Sequence, residues 1–595
     1  MESVSRAALR TATMSGNYDN AAPAARRPHC ALVVLPPRRP AVRTSDGLWH
    51  RATLPTPRVN GNPVNDQIPV LVVGGGPVGL ATALELAAHG AAVTVIETRP
   101  AVTWTRPRAK TTSARTMEHL RRWGLAQEIR HRAPLKPTWS DQVVFCTTLL
   151  EREVTRFDRC FALDLIDDDL VAEGGQQVPQ PLIESVMRRR VEELPATTLL
   201  TGRTVTGLRQ DADGVTVDVR TADGRSETLR ASYVVGCDGA RSVVRDAIGV
   251  HLDGDDDSRP NYNIVFRSEE LAARVPHGNA VQYWVLDPDQ PGLVGRLDLD
   301  GTWWCIGIGV DAEAGAADPV GLVHRLIGDR KREIPVEVVA ADPWRSRMRV
   351  ADSYRVGRVF LAGDAAHLNP PWGGHGFNTG VGDAVNLGWK LAAVLAGWAP
   401  ETLLDSYQAE RRAVAAHTVE AATRNMATLG PELGDRRLIG TDAEFAEARP
   451  LVAEAVHRSK DSEFHSLGLV LGTSYAGSPI VDAGPVREID EASYVPRAAP
   501  GDRLPHTWLG PADSLYDRLG PGYSLVGDLT APAAARIEDC ARRLGIPLTV
   551  LAFERAEELF EAPLVIVRPD QHVAWRGTDV EHPEDLWRRL TGHTG

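Results

Sequence analysis

The first sustained pattern along the chain begins at Pro69, where "PVLVVGGG" sets a short valine-rich apolar run before a cluster of glycines. The next stretch, "LATALELAAHG", carries Leu80, Leu84 and Leu86 at helical spacing, and "AVTVIE" returns to a continuous apolar run. Strand, glycine turn, helix and second buried strand within about 30 residues predict a βαβ unit. Between about 200 and 235 apolar and polar residues alternate around Asp-Gly turns, which predicts β-hairpins returning to the core. Four runs between about 260 and 311, "YNIVF", "VQYWVL", "GLVGRLDL" and "WWCIGIGV", mostly alternate as well. Strands of a sheet with one covered face do this, so they predict a second domain inserted in the first.

Residues 380–430 read as helical, with Leu387, Leu391, Val394 and Leu395 at helical spacing, and so does 441–458. After a linker with Gly477, Pro479, Pro485, Pro496 and Pro500, the runs "LTVLAF", "PLVIVRP" and "HVAWRG" predict strands flanked by helices at about 531–544 and 583–590. The expected fold class is α/β. Its expected parts are a first nucleotide-binding section (67–250), an inserted mixed β-sheet (251–350), a second nucleotide-binding section with helices (351–475), a linker (476–500) and a C-terminal unit (501–595). Residues 1–66 are rich in Arg, Pro and Ala without periodicity, and are expected to be a disordered or misannotated extension outside the fold.

Composition narrows the function. The 595 residues are 43% apolar and 24% charged, an ordinary globular balance, and the formal net charge of -12 argues against a nucleic-acid-coating surface. The six cysteines form no CxxC pair, so neither a zinc site nor a disulfide framework is expected, and a reducing cytoplasm is the expected home. No run of about 18 uncharged apolar residues offers a membrane span.

Gly74-Gly75-Gly76-Pro77-Val78-Gly79 is a GxGxxG motif at the strand-to-helix turn. Gly74 allows the turn, Gly76 lets backbone approach a pyrophosphate, and Gly79 lets helix pack on strand. Glu97 closes the second strand, where an acid can accept the ribose hydroxyls. The motif alone fits FAD or NAD(P). A second glycine-rich segment, "GRVFLAGDAAHLNPPWGGHGFNTGVGDAVNLGWKLAAVL" (357–395), points to a flavin. Asp364, after Gly363, suits the ribityl hydroxyls, and backbone N–H groups from Gly374 to Asn378 at a helix start suit the N1–C2=O edge, where reduced flavin is negative. A third segment, "YVVGCDGARSVVRDAIG" (233–249), sets Asp238-Gly239 at a turn before a helix with Arg241 and Arg245.

These motifs, in this order, resemble the single-component FAD-dependent aromatic hydroxylases that share the fold of p-hydroxybenzoate hydroxylase. The likeness covers about 68–475, and "RPRAKTTSARTMEHLRRWGL" (106–125) is similar to the family's arginine-bearing segment. It implies a Rossmann-like FAD domain, with Arg108 at the diphosphate, Arg115 nearby and Gln180 on the cofactor. The last 95 or so residues, with "PGDRLPHTWL" and "LVIVRPDQHVAWRG", resemble the thioredoxin-like appendage of phenol and polyketide hydroxylases. Lacking CxxC, this unit is expected to be structural or an oligomer contact, which leaves a homodimer open.

The resemblance also implies the reaction: an aromatic, phenolic substrate, NAD(P)H and O2 react through a C4a-hydroperoxyflavin, with one oxygen atom entering the ring. Either NADPH or NADH is open, and so is a polyketide-type substrate or a small catabolic phenol. A non-catalytic flavoprotein is the competing class. Pro371 is expected to stiffen the loop beside the flavin, and His375 is the candidate substrate base, while His367 reads as structural. Tyr262, Phe266, Tyr283, Trp284, Trp303 and Trp304 are candidates for the substrate roof, of which only some can face the flavin. No metal is expected.

Overall fold

The computed structural model describes residues 67–104, 110–166, 168–427, 434–484 and 487–593, so the extension expected over 1–66 lies outside the described residues. Strand β1 (Ile68–Val73), helix α1 (Pro77–Ala88) and strand β2 (Val93–Glu97) form the βαβ unit, with β1 and β2 parallel from Val70↔Val93 to Val73↔Ile96. Both strands are almost wholly buried, hence their continuous apolar runs. Helices α2 (Ala114–Arg122) and α3 (Gln180–Glu193) follow, and two hairpins lead into β3 (Ser226–Gly236), which pairs parallel to β1. The sheet order is Arg355–Val356, Val359–Leu361, β3, β1, β2, Thr197–Thr201. The chain therefore leaves this domain after β3 and returns to it at 355.

Strands β4 (Leu252–Arg267), β5 (Gln282–Val285), β6 (Gly292–Arg296) and β7 (Thr302–Ile308), helix α4 (Pro319–Ile327) and strand β8 (Glu337–Ala351) make up most of the inserted domain. The sheet order is His367–Leu368, β8, β4, β7, β6, β5, Val143–Cys146, Glu153–Phe157. It thus reaches beyond the expected 251–350, taking two strands from 143–157 and one from 367–368. These strands cover the otherwise unpaired edges of β5 and β8.

Alternation along the strands sorts the aromatic residues. Tyr262, Phe266, Tyr283 and Trp303 pack with Leu322 and Leu326 of α4. Trp284 and Trp304 lie on the opposite face, in one cluster with Phe145, Trp372 and Phe464. Only this second face meets the flavin-binding segment, so two of the six roof candidates remain.

The helical stretch expected over 380–430 is two helices, α5 (His375–Leu395) and α6 (Asp405–Ala427). Gly397 in a left-handed conformation and Pro400 separate them. Helix α7 (Asp442–Phe464) begins with a capping box between Thr441 and Glu444. In the C-terminal unit β9 (Tyr523–Gly527) pairs parallel to Leu548–Ala552 and antiparallel to Leu564–Val567, which pairs with Val573–Gly577. With α8 (Pro532–Leu544) and α9 (Pro583–Leu590) this is a thioredoxin-like arrangement. Cys540 is buried on α8, and none of the described cysteines forms a disulfide. Among the described residues no helix is long and apolar enough to cross a membrane, and no group of side chains could hold a metal.

Candidate active site

The dinucleotide turn assigns a separate task to each glycine. Gly74 has φ +105°, and a Cβ there would lie 2.3 Å from the Cys237 carbonyl oxygen. A Cβ on Gly79 would lie 1.9 Å from the Gly74 carbonyl oxygen, so α1 can approach β1 only with glycine at that position. A Cβ on Gly76 would meet nothing within 4 Å. Gly76 therefore faces a cradle that protein does not fill, at the start of α1, where no side chain caps the helix. Glu97 is buried; its Oε2 accepts from Gly75 N (2.7 Å) and its Oε1 from Arg99 N (2.8 Å) and Nε (2.9 Å).

The other two motifs meet in space. Asp238 accepts from the Ser242 hydroxyl and from Val244 N (3.1 Å), so its carboxylate caps the short helix Val243–Ala247, and burial pushes its pKa up. Arg245 of that helix donates to the carbonyl oxygens of Ala365 (3.2 Å) and Ala240 (3.2 Å), which ties the Asp-Gly turn to the Gly-Asp turn. Gly363 N donates to Asp383 Oδ2 (3.0 Å), and Asp364 is exposed on the turn. Asp383 is fully buried; although burial opposes its charge, Arg411 and His367 hold the carboxyl below its ordinary range. His367 Nε2 lies 2.9 Å from Asp383 Oδ2, a structural bond.

The loop before α5 carries the flavin-facing backbone. Gly373 (φ +83°) and Gly374 (φ +71°) are left-handed, and Pro371, exposed, accepts at its carbonyl oxygen from Gly374 N (3.1 Å). Gly374 is the N-cap of α5 and supplies no side chain, so the first turn of a 21-residue helix presents its backbone N–H groups uncapped. Asn378 Oδ1 accepts from Ser113 N (2.9 Å), and its Nδ2 donates to Thr111 O (3.1 Å) and Gly374 O (2.7 Å). Its amide is thus spent on fastening the 111–113 segment to α5, and what Asn378 offers a cofactor is backbone.

Two of the expected site residues have surroundings that bear on their roles. The Arg115 guanidinium donates to Glu118 (2.8 Å), Gln571 Oε1 (2.6 Å) and the Asp570 carbonyl (2.8 Å), which joins α2 to the C-terminal unit. His375 is buried with Nε2 lacking a protein partner, and desolvation pushes its pKa down to about 4. Gln180 sits half-buried at the first turn of α3, and Arg108 lies outside the described residues.

Two features have no counterpart in the sequence reading. Lys460 of α7 lies 4.5 Å from the ring centroid of Trp284 and pairs with Glu463 (2.9 Å), which also accepts from the Gly373 backbone. Lys110 reaches into the same region. Charged residues on a helix or within a basic run read as solvated, and only their tertiary surroundings show Lys460 buried and Lys110 half-buried.

The open face at Gly76, the uncapped first turn of α5 and the Gly-Asp turn between them fit an extended dinucleotide ending in a flavin ring. Comparisons with known proteins agree. Residues 67–422 match the family model of the FAD binding domain, and 497–595 match that of the aromatic-ring hydroxylase C-terminal domain. The chain is 34% identical to tetracenomycin B2 monooxygenase-dioxygenase of Streptomyces olivaceus over 566 residues, covering 87% of this chain and 97% of that protein. It is 31% identical to 2,4-dichlorophenol 6-monooxygenase of Delftia acidovorans, covering 85% and 94%. The rebeccamycin biosynthetic enzyme RebC with reduced flavin superposes with a TM-score of 0.82 at 32% identity, covering 89% of this chain and 99% of that one. With the motifs, their geometry and both family models in agreement, the chain belongs to the FAD-dependent aromatic-ring hydroxylases, a family of flavoprotein monooxygenases.

Proposed function

We propose that this monooxygenase hydroxylates a phenolic ring of a polycyclic, polyketide-type substrate in cytoplasmic secondary metabolism. The observation that carries this reading is the aromatic wall beside α5. Trp284, Trp304 and Trp372 share one cluster with Phe145 and Phe464, and the indole N–H of each tryptophan is buried without a protein partner. Flat apolar faces suit a flat, fused ring system. The likeness to the tetracenomycin and rebeccamycin enzymes supports the same reading. The likeness to the dichlorophenol enzyme favours a second one, a catabolic hydroxylase of a small phenol.

The balanced reaction is ArH + O2 + NAD(P)H + H+ → ArOH + H2O + NAD(P)+. Bound FAD supplies the redox chemistry, accepting electrons from the nicotinamide and activating dioxygen. The chain's own residues hold and dehydrate the reactants. Gly74, Gly76 and Gly79, with the start of α1, would hold the diphosphate. Glu97 would take the adenosine ribose, and Asp364 the ribityl chain after Gly363. The backbone of Gly374 to Asn378 would face the negative edge of the reduced ring, as an oxyanion hole does, and the Pro371 loop would fix that edge against the substrate. The aromatic wall keeps water from the reacting carbon. NAD(P)H docks transiently in this reading, with NADPH or NADH as donor.

The test is nicotinamide consumption by the purified flavoprotein, with hydroxylated polycyclic quinones and simple phenols supplied separately and products weighed by mass spectrometry. The reading expects polycyclic compounds to stimulate consumption and to yield a product heavier by one oxygen atom. Stimulation by simple phenols alone would favour the second reading, and stimulation by neither would remove both.

A further inference from the structure

Lys110 stands just before the 111–113 segment that Asn378 fastens to the first turn of α5. Its side chain crosses to the inserted sheet. Nζ donates to the carbonyl oxygens of Val281 (2.6 Å) and Arg296 (3.4 Å) and lies 5.2 Å from the ring centroid of Trp304. The ammonium thus bridges the ends of neighbouring strands on the aromatic face, between the flavin-facing helix and the substrate roof.

Every partner of this cation among the described residues is neutral. No carboxylate there makes an ion pair with it, whereas Lys460, on the same wall, has Glu463, and Lys390, deep in the molecule, has Glu410. Other charges near the wall are turned away or used. The guanidinium of Arg296 lies 5.2 Å from Trp303 on the far face and donates to the Asp298 carbonyl, and His375 is held neutral by burial. Dehydration without a counter-charge pushes the Lys110 amine down to about 7. The indole N–H groups of Trp284, Trp304 and Trp372, on the same wall, are buried without a protein acceptor.

We propose that Lys110 is the counter-charge of the substrate: the phenol is bound as its phenolate, with the oxygen paired to Lys110 Nζ and the ring against Trp304. If the amine is neutral when substrate arrives, the phenol O–H proton passes to Nζ, and R–NH2 + ArOH becomes R–NH3+ paired with ArO−. If it is already protonated, the phenol releases that proton to solvent, and the pair formed is the same. The inference rests on the phenolic reading above and deepens it, because a phenolate is the more nucleophilic ring and this chain then carries the group that stabilises it.

The test uses the FAD-loaded full-length protein without reductant and reads binding, not turnover. Two phenols whose colour changes on ionisation serve as probes, 4-nitrophenol for small rings and alizarin for fused ones, each titrated spectrophotometrically against pH. The wild type should bind at least one of them in its ionised colour at pH values where the free dye is neutral, with an apparent pKa lowered by about one unit or more, equivalent to about tenfold in affinity. Lys110→Met, with flavin content unchanged, should abolish that shift, and Lys110→Arg should retain most of it. A wild type that binds the dyes in their neutral colour overturns the proposal, whether or not the variants fold. So does a Lys110→Met protein that still binds the ionised dye as tightly. If neither dye binds in any form, the phenolic reading fails and the role of Lys110 falls with it.

Discussion

At the scale of single residues, the glycines of the dinucleotide turn separate folding from binding. The Gly76 position has room for a side chain and Gly79 has none. Gly76→Val should therefore fold, losing about 1 kcal/mol at most through the altered cap, yet take up no FAD. Gly79→Val should fail to accumulate as folded protein. Expression, unfolding temperature and flavin absorbance of the two variants check this, and a yellow Gly76→Val protein would contradict it. His375 supplies a pH-dependent prediction. Folded, it takes a proton only near pH 4, whereas the unfolded chain takes it near 6.5, so stability from this site falls as the pH drops through that window. Between neutral pH and about pH 5 the wild type should lose about 2 kcal/mol more stability than His375→Gln, measured as parallel shifts in unfolding midpoint. The glycine turn was legible in the sequence because glycine's task there is local. Arg115, Asn378 and Lys110 were not, because each is defined by a partner far along the chain: Gln571, Ser113 and Val281 respectively.

At the scale of elements, α5 is the member that everything else positions. Its first turn faces the proposed flavin edge, and its middle is anchored by a buried charged network. Glu410 of α6 accepts from Lys390 Nζ (2.6 Å) and Asn386 Nδ2 (2.6 Å) of α5 and from Arg568 of the C-terminal unit (2.6 and 2.8 Å). Trp389 Nε1 donates to Asp570 (3.1 Å), which also pairs with Arg568 (2.7 Å). Removing one member leaves buried cations short of a partner, so Glu410→Leu should cost about 3–5 kcal/mol. Thermal unfolding measures the loss, and a change within about 1 kcal/mol would show the network to be dispensable. Individual strands and helices were readable from their periodicity. The break between α5 and α6 was marked by Gly397 and Pro400 within a stretch read as one helical region. Residues 143–157 carried no reading as members of the inserted sheet, since the parallel pairing of Val143–Cys146 with β5 joins segments more than a hundred residues apart.

At the scale of the whole molecule, the C-terminal unit completes the core of the flavin domain. Trp389 and Ala393 of α5 and Leu403 share one apolar cluster with Tyr523, Ile537 and Trp587, while Arg503 pairs with Glu118 of α2 in full burial. A chain truncated before residue 497 would expose that surface, with Glu410 deprived of Arg568 and Glu118 deprived of Arg503. It should aggregate or bind flavin poorly, as light scattering and flavin content would show; a monomeric truncated protein with full flavin occupancy would make this unit an appendage without a structural role.

The account rests on FAD lying between the Gly76 cradle and the first turn of α5. Its most direct measurement is the visible spectrum of the purified protein, before and after incubation with FAD and removal of the excess. The account predicts oxidised-flavin absorbance at about one equivalent per chain, lost in Gly76→Val. A folded wild type that stays colourless and takes up no FAD would contradict it.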